Sequence, residues 1–166
     1  TANFYYNNRD YDFAADTYAA YLRTYPRSPH TERVKLRQAY SLYAQFRGPR
    51  FDATPVIDAR EQLRALAVQS PQLAAEENIA GLIDQLDRNL ARKLYVTGDF
   101  YRRTREMEGA AYTFQYLAEA YPDTPEAAMA RRDLAALPPD AVASAPAPAI
   151  SPGYAPPSAA EEAPRI

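Results

Sequence analysis

The chain contains no cysteine and no tryptophan, and its one histidine is His30. Without cysteine there is no disulfide framework, no thiolate metal site and no thiol nucleophile. The same absence is compatible with cytoplasm or periplasm and does not separate them. His30 stands just after Ser28-Pro29, in the first turn of an expected helix, and reads as a surface residue; no serine has the context of a nucleophile elbow. Glycine occurs only five times, and no glycine-rich phosphate loop, HExxH segment or EF-hand loop is present. Lysine is confined to Lys35 and Lys93, and the formal net charge of −2 provides no basic field of the kind that binds nucleic acid or an anionic membrane. No apolar run is long enough to span a bilayer as a helix. The paired acids Glu76-Glu77, Glu106 with Glu108, and Glu161-Glu162 sit too close in sequence to face one another on a helix, and read as solvated. Nothing here implies an enzyme, a metal or a cofactor.

What the chain does have is a hydrophobic content of 47% and fourteen tyrosines, enough for a packed core with half-buried rings at its edges. It also repeats itself. Phe100-Tyr101, Ala110-Ala111, Phe114, Tyr121-Pro122 and Pro125 lie, without a gap, 96 positions after Phe4-Tyr5, Ala14-Ala15, Tyr18, Tyr25-Pro26 and Pro29. A self-match at fixed spacing marks an array of helical repeats. The expected fold is therefore all-α, a right-handed superhelical array of antiparallel helix pairs of tetratricopeptide type. Because Phe4 aligns with the late part of a helix at Phe100, the array reads as N-terminally truncated, a piece of a longer protein.

Residues 1–8 read as the end of a helix. From Asp10 to Tyr25, apolar residues at Tyr11, Ala14, Ala15, Tyr18, Leu22 and Tyr25 form one helical stripe. Pro26 stops it, and Ser28-Pro29 reads as N-cap and first residue of a helix reaching Phe46, with Leu36, Ala39, Tyr40 and Tyr43 inward. Arg47-Gly48-Pro49-Arg50-Phe51-Asp52 reads as a loop. Thr54-Pro55 opens the next helix, with Val56, Ala59, Leu63, Leu66 and Ala67 on one side. Ser70-Pro71 opens a long helix to about Arg102 whose stripe is Ile79, Leu82, Ile83, Leu86, Leu90 and Leu94, with Gly98 a candidate bend. After a break near 103–106, Met107 to Tyr121 packs Ala110, Ala111, Phe114, Leu117 and Tyr121, and Thr124-Pro125 caps a last helix ending near Leu137. The middle unit is longer than the common tetratricopeptide repeat of about 34 residues. Residues 1–137 thus read as the repeat domain. Residues 138–166, with eight prolines and nine alanines among 29 residues, read as a disordered tail.

Two clusters are candidates for contacting a protein partner. Arg102, Arg103 and Arg105 flank Tyr101 at the tip of the last full helix pair, where guanidinium groups could grip a carboxylate bidentately. Tyr112 and Tyr116 lie one turn apart, off the Ala111/Phe114 stripe; that second face either packs on a neighbouring repeat or lines an exposed groove.

Units closing with Tyr-Pro-x-[Ser/Thr], the loop Phe51-Asp52-Ala53-Thr54-Pro55, the segment Leu86-Asp87-Arg88-Asn89-Leu90-Ala91 and the closing Ala110-Ala111 … Leu117 … Tyr121-Pro122-Asp123-Thr124 resemble the BamD/YfiO family. These are tetratricopeptide lipoproteins of the outer-membrane β-barrel assembly machinery, and the resemblance covers about residues 4–137. It implies a non-enzymatic scaffold at the periplasmic face of the outer membrane, tethered by a lipidated N-terminal cysteine that this chain does not contain. It implies as partners the periplasmic domains of the barrel-forming assembly subunit and unfolded outer-membrane clients, and no nucleic acid. Read from the repeats alone, two alternatives stay open: a tetratricopeptide adaptor of another envelope or secretion complex, or a helical domain of a larger enzyme or regulator.

Overall fold

The computed structural model describes residues 1–148. Among these, every regular element is an α-helix. In chain order they are α1 (Ala2–Asn7), α2 (Tyr11–Thr24), α3 (Thr31–Ala44), α4 (Thr54–Gln69), α5 (Pro71–Glu76), α6 (Ile79–Thr104), α7 (Met107–Ala120), α8 (Pro125–Ala135) and α9 (Pro139–Ser144). The all-helical, tetratricopeptide-like architecture expected from the self-match is therefore present.

The chain divides into two compact units, one formed by residues 1–47 and 53–86, the other by residues 48–52 and 87 onward. In the first, α1 packs on α2, α2 on α3 and α3 on α4. Its buried residues include most of the stripes, Ala14, Ala15 and Tyr18 on α2, Leu36 and Ala39 on α3, and Val56, Ala59, Leu63 and Leu66 on α4, whereas Tyr40 and Tyr43, expected inward on α3, are half-buried. The alanine pair lets backbones approach, and the Tyr18 ring is buried while its hydroxyl donates to Asn3 Oδ1 at its rim. Tyr25, by contrast, is 57% exposed, so the α2 stripe ends one turn earlier than its spacing suggests.

In the second unit, α7 packs against α8 and α9. Ala110, Ala111, Phe114 and Leu117 are fully buried. Gly98 does not end α6, which continues to Thr104. A Cβ placed on Gly98 would lie 2.5 Å from Phe114 Cε1, so the missing side chain is what lets the ring lie on the helix. The prediction of irregular structure from Pro138 onward needs correcting for its first residues. Pro139 starts the short helix α9, whose Ala141 is buried, so helical structure continues past Leu137. The rest of that stretch, from residue 149, lies outside the described residues.

Two expected boundaries also differ. Ser28 does not cap α3, which starts at Thr31. The Ser28 hydroxyl bonds that of Tyr21 at 2.8 Å and accepts from the His30 amide at 3.2 Å, closing a local turn instead. Its counterpart Thr124 does cap α8, accepting from the Ala127 amide at 3.2 Å. The long helix expected from Pro71 is broken at Asn78, whose φ of 49° turns the chain left-handed before α6 restarts.

The repeat extends to conformation. Arg9 and Arg105, 96 positions apart, both adopt a left-handed φ, 64° and 68°. The amide that follows each reaches back to the same carbonyl, Asp10 to Tyr5 and Glu106 to Tyr101, at 2.9 Å in both. This is a Schellman closure of the preceding helix, with arginine where glycine is usual. A side chain there costs about 1–2 kcal/mol. Arg105→Gly should therefore stabilise the chain by about 0.5–1 kcal/mol, after allowing for the entropy glycine adds to the unfolded state. Urea denaturation would show it; an unchanged or lowered midpoint would mean that the Arg105 side chain makes up the difference.

Candidate protein-binding surface

The proposed arginine patch lies where α6 closes into α7. Asp99 is placed one turn upstream of Arg102 and Arg103, at i−3 and i−4, so both can reach it on one helix face. Arg102 Nη2 donates to Asp99 Oδ1 at 2.6 Å, and Arg103 Nε to Asp99 Oδ2 at 3.0 Å. The hydrogen bond to Asp99 holds the Arg102 guanidinium more firmly protonated than usual. Both arginines also sit at the C-terminus of the helix, where the macrodipole favours cations. Part of their role is thus local. Each keeps donors facing solvent, because the side chains are 44% and 65% exposed.

Arg105 stands apart from that pair in the left-handed turn. It lines a shallow depression of about 500 Å³ with Glu106, Met107, Glu108, Gly109, Asp140, Ala141 and Ser144. Tyr101 is half-buried, its ring 3.3 Å from where a Cβ on Gly109 would be, so it holds the start of α7 against α6. Tyr112 and Tyr116 stack with ring centroids 6.5 Å apart. Tyr112 is half-buried, but Tyr116 is only 2% exposed and belongs to the core. The exposed-groove reading of this second face therefore fails at Tyr116: it is packed, as the helix period alone could not decide. Thr113, on the same face, is buried as well.

Sequence reading missed Asp99 as the counter-ion, although an acid three and four residues ahead of two arginines is a legible signal. It also missed a second polar link in this unit. The Tyr95 hydroxyl donates to Asp133 Oδ2 at 2.7 Å, joining α6 to α8, and Arg132 donates to the other oxygen at 3.3 Å. Burial pushes the Asp133 carboxyl up, but the hydrogen bonds from Tyr95 and Arg132 outweigh it, and its pKa lies below the ordinary value. Burial, and then the bond to Asp133, raise that of Tyr95. A depressed carboxyl pKa contributes stability that is present above the ordinary carboxylate range and is lost as pH falls through the folded-state value. Tyr95→Phe should lower stability by about 1 kcal/mol at neutral pH. It should also narrow the gap between neutral and acid melting temperatures; an unchanged gap would show that Tyr95 does not set the Asp133 pKa.

Among the described residues, no three acidic or histidine side chains gather in a way that could hold a metal ion. His30 is exposed at the start of α3. The surface thus offers oriented guanidinium groups and aromatic edges on a helical scaffold. Residues 1–137 match the family model of YfiO, described as an outer membrane lipoprotein. The chain belongs to the YfiO family. None of the curated proteins compared with it matches. The YfiO match ends at Leu137, at the close of α8 and before α9, and so takes in both copies of the internal repeat. Among the described residues of this YfiO-family chain, no helix is long and apolar enough to cross a membrane.

Proposed function

We propose that the protein is a non-enzymatic scaffold of outer-membrane β-barrel assembly, working at the periplasmic face of that membrane. Its partners would be the periplasmic domains of the barrel-forming subunit and unfolded outer-membrane clients. The observation that carries this reading is the YfiO family match over the whole repeat domain. The repeat architecture supports it, since helical arrays work by presenting extended surfaces to other proteins. Arg102, Arg103 and Arg105 are proposed to meet carboxylates of the partner, with Tyr101 and Tyr112 as further contact residues. Tyr116 drops out because it is buried.

The test is an affinity pull-down from detergent-solubilised envelopes with the tagged protein as bait. The expected result is recovery of a β-barrel assembly subunit, with recovery falling when Arg102, Arg103 and Arg105 are together replaced by Glu. Recovery that survives the charge reversal would retain the scaffold and remove the arginine patch. Recovery of a different complex, with no barrel component, would overturn the functional reading.

A further inference from the structure

The loop of residues 48–52 is held in an unusual way. Lys93, on α6, is only 6% exposed. Its ammonium group donates to the Phe51 carbonyl at 2.8 Å and reaches the Pro49 carbonyl at 3.5 Å. A buried ammonium is expensive to desolvate and persists only where acceptors meet it. Here the loop's own backbone supplies acceptors. At the other side of the same residue, the Phe51 amide donates to the Gly48 carbonyl at 3.1 Å. Both backbone groups of Phe51 are therefore satisfied inside the protein, and Pro49 has no amide to satisfy. The Phe51 side chain nonetheless points outward, 53% exposed, and the neighbouring Arg50 is exposed with no hydrogen-bond or ion-pair partner among the described residues.

A single exposed phenylalanine on a loop is ordinary. A phenylalanine whose backbone is already paired, on a loop clamped by a buried charge and beside an unpartnered arginine, has the chemistry of a bilayer-surface contact. Backbone groups carried toward the acyl region must be satisfied internally, which for Phe51 they are. The ring can then enter the headgroup–acyl boundary while a guanidinium grips lipid phosphate. Membership of an outer-membrane lipoprotein family puts the chain next to such a surface. We propose that the 48–52 loop is a membrane-surface contact, Phe51 inserting and Arg50 binding phosphate, on an anionic phospholipid bilayer. This goes beyond the scaffold reading and does not depend on which proteins that scaffold binds. The whole chain carries −2 and Asp52 offsets Arg50 within the loop, so the attraction rests on the Arg50 guanidinium alone and binding is weak and salt-sensitive.

The chain has no tryptophan, so Phe51→Trp places a single reporter at the tip. Vesicles of phosphatidylcholine with and without phosphatidylglycerol are the probes. Expected with phosphatidylglycerol are a blue-shifted indole emission and protection from iodide quenching. Neither should occur with phosphatidylcholine alone, and added salt should reverse both. Co-sedimentation of the unsubstituted chain should fall about tenfold in Phe51→Ala and in Arg50→Glu, with circular dichroism unchanged. An indole that stays quenchable while the chain sediments would mean another surface binds lipid, overturning the loop's role. No sedimentation with either vesicle would overturn the proposal outright and leave the ring as a contact for protein instead.

Discussion

Phe114→Ala should destabilise the protein by about 3–5 kcal/mol, the range for removing a fully enclosed aromatic ring from a core. The ring is 0% exposed. On one side it lies against the bare backbone at Gly98, and its centroid is 5.9 Å from that of Tyr95. The cavity left by the variant has little means of collapsing, because Gly98 has no side chain to move into it. Much of the penalty is thus the cavity as well as the lost transfer energy. Urea denaturation followed by circular dichroism gives the number; a loss below about 1 kcal/mol would contradict the ring's burial.

Gly98→Val should cost nearly as much by the opposite route. A Cβ at that position would stand 2.5 Å from Phe114 Cε1 and 2.8 Å from Cδ1, and two further methyl groups would follow it. An enclosed ring cannot swing away, so α6 and α7 would have to separate, at a cost of about 3 kcal/mol. The two sites should also be coupled. Gly98→Ala alone should cost about 1–3 kcal/mol, yet far less in the Phe114→Ala background, where the ring is gone. Strict additivity of the two variants would show that the contact is not what determines either effect.

Much of this architecture was legible in the residues. The 96-residue self-match identified equivalent helices, and the matched conformations at Arg9 and Arg105 show that the likeness reaches individual torsions. The stripes of α2, α4 and α7 follow from helical spacing, as does the turn at Tyr121-Pro122 with its Thr124 cap. Arg60 shows where polarity misleads: it lies on the inner stripe between Val56 and Leu63, is 4% exposed, and bonds Glu61 at 3.2 Å. Its spacing is that of an inward position, although arginine is seldom buried. Of the candidate site, the arginines are exposed as expected, whereas their engagement with Asp99 and the burial of Tyr116 are contacts that a one-dimensional pattern leaves open.

Tyr25 and Tyr121 separate the two kinds of information most plainly. They are repeat equivalents, and each ends its helix with nearly the same torsions, φ −127° and ψ 60° against φ −134° and ψ 54°. Yet Tyr25 is 57% exposed and Tyr121 only 9%. Local sequence determined the helix, its stop and the turn after it, because these depend on residues within one or two turns of each other. It also determined the family and the absence of cysteine chemistry. Which rings are covered, which serine or threonine caps, and which loop a buried lysine grips were decided only by tertiary structure. Those outcomes depend on neighbours supplied from 40 or so residues away, as Lys93 is to Phe51, and no local pattern records them.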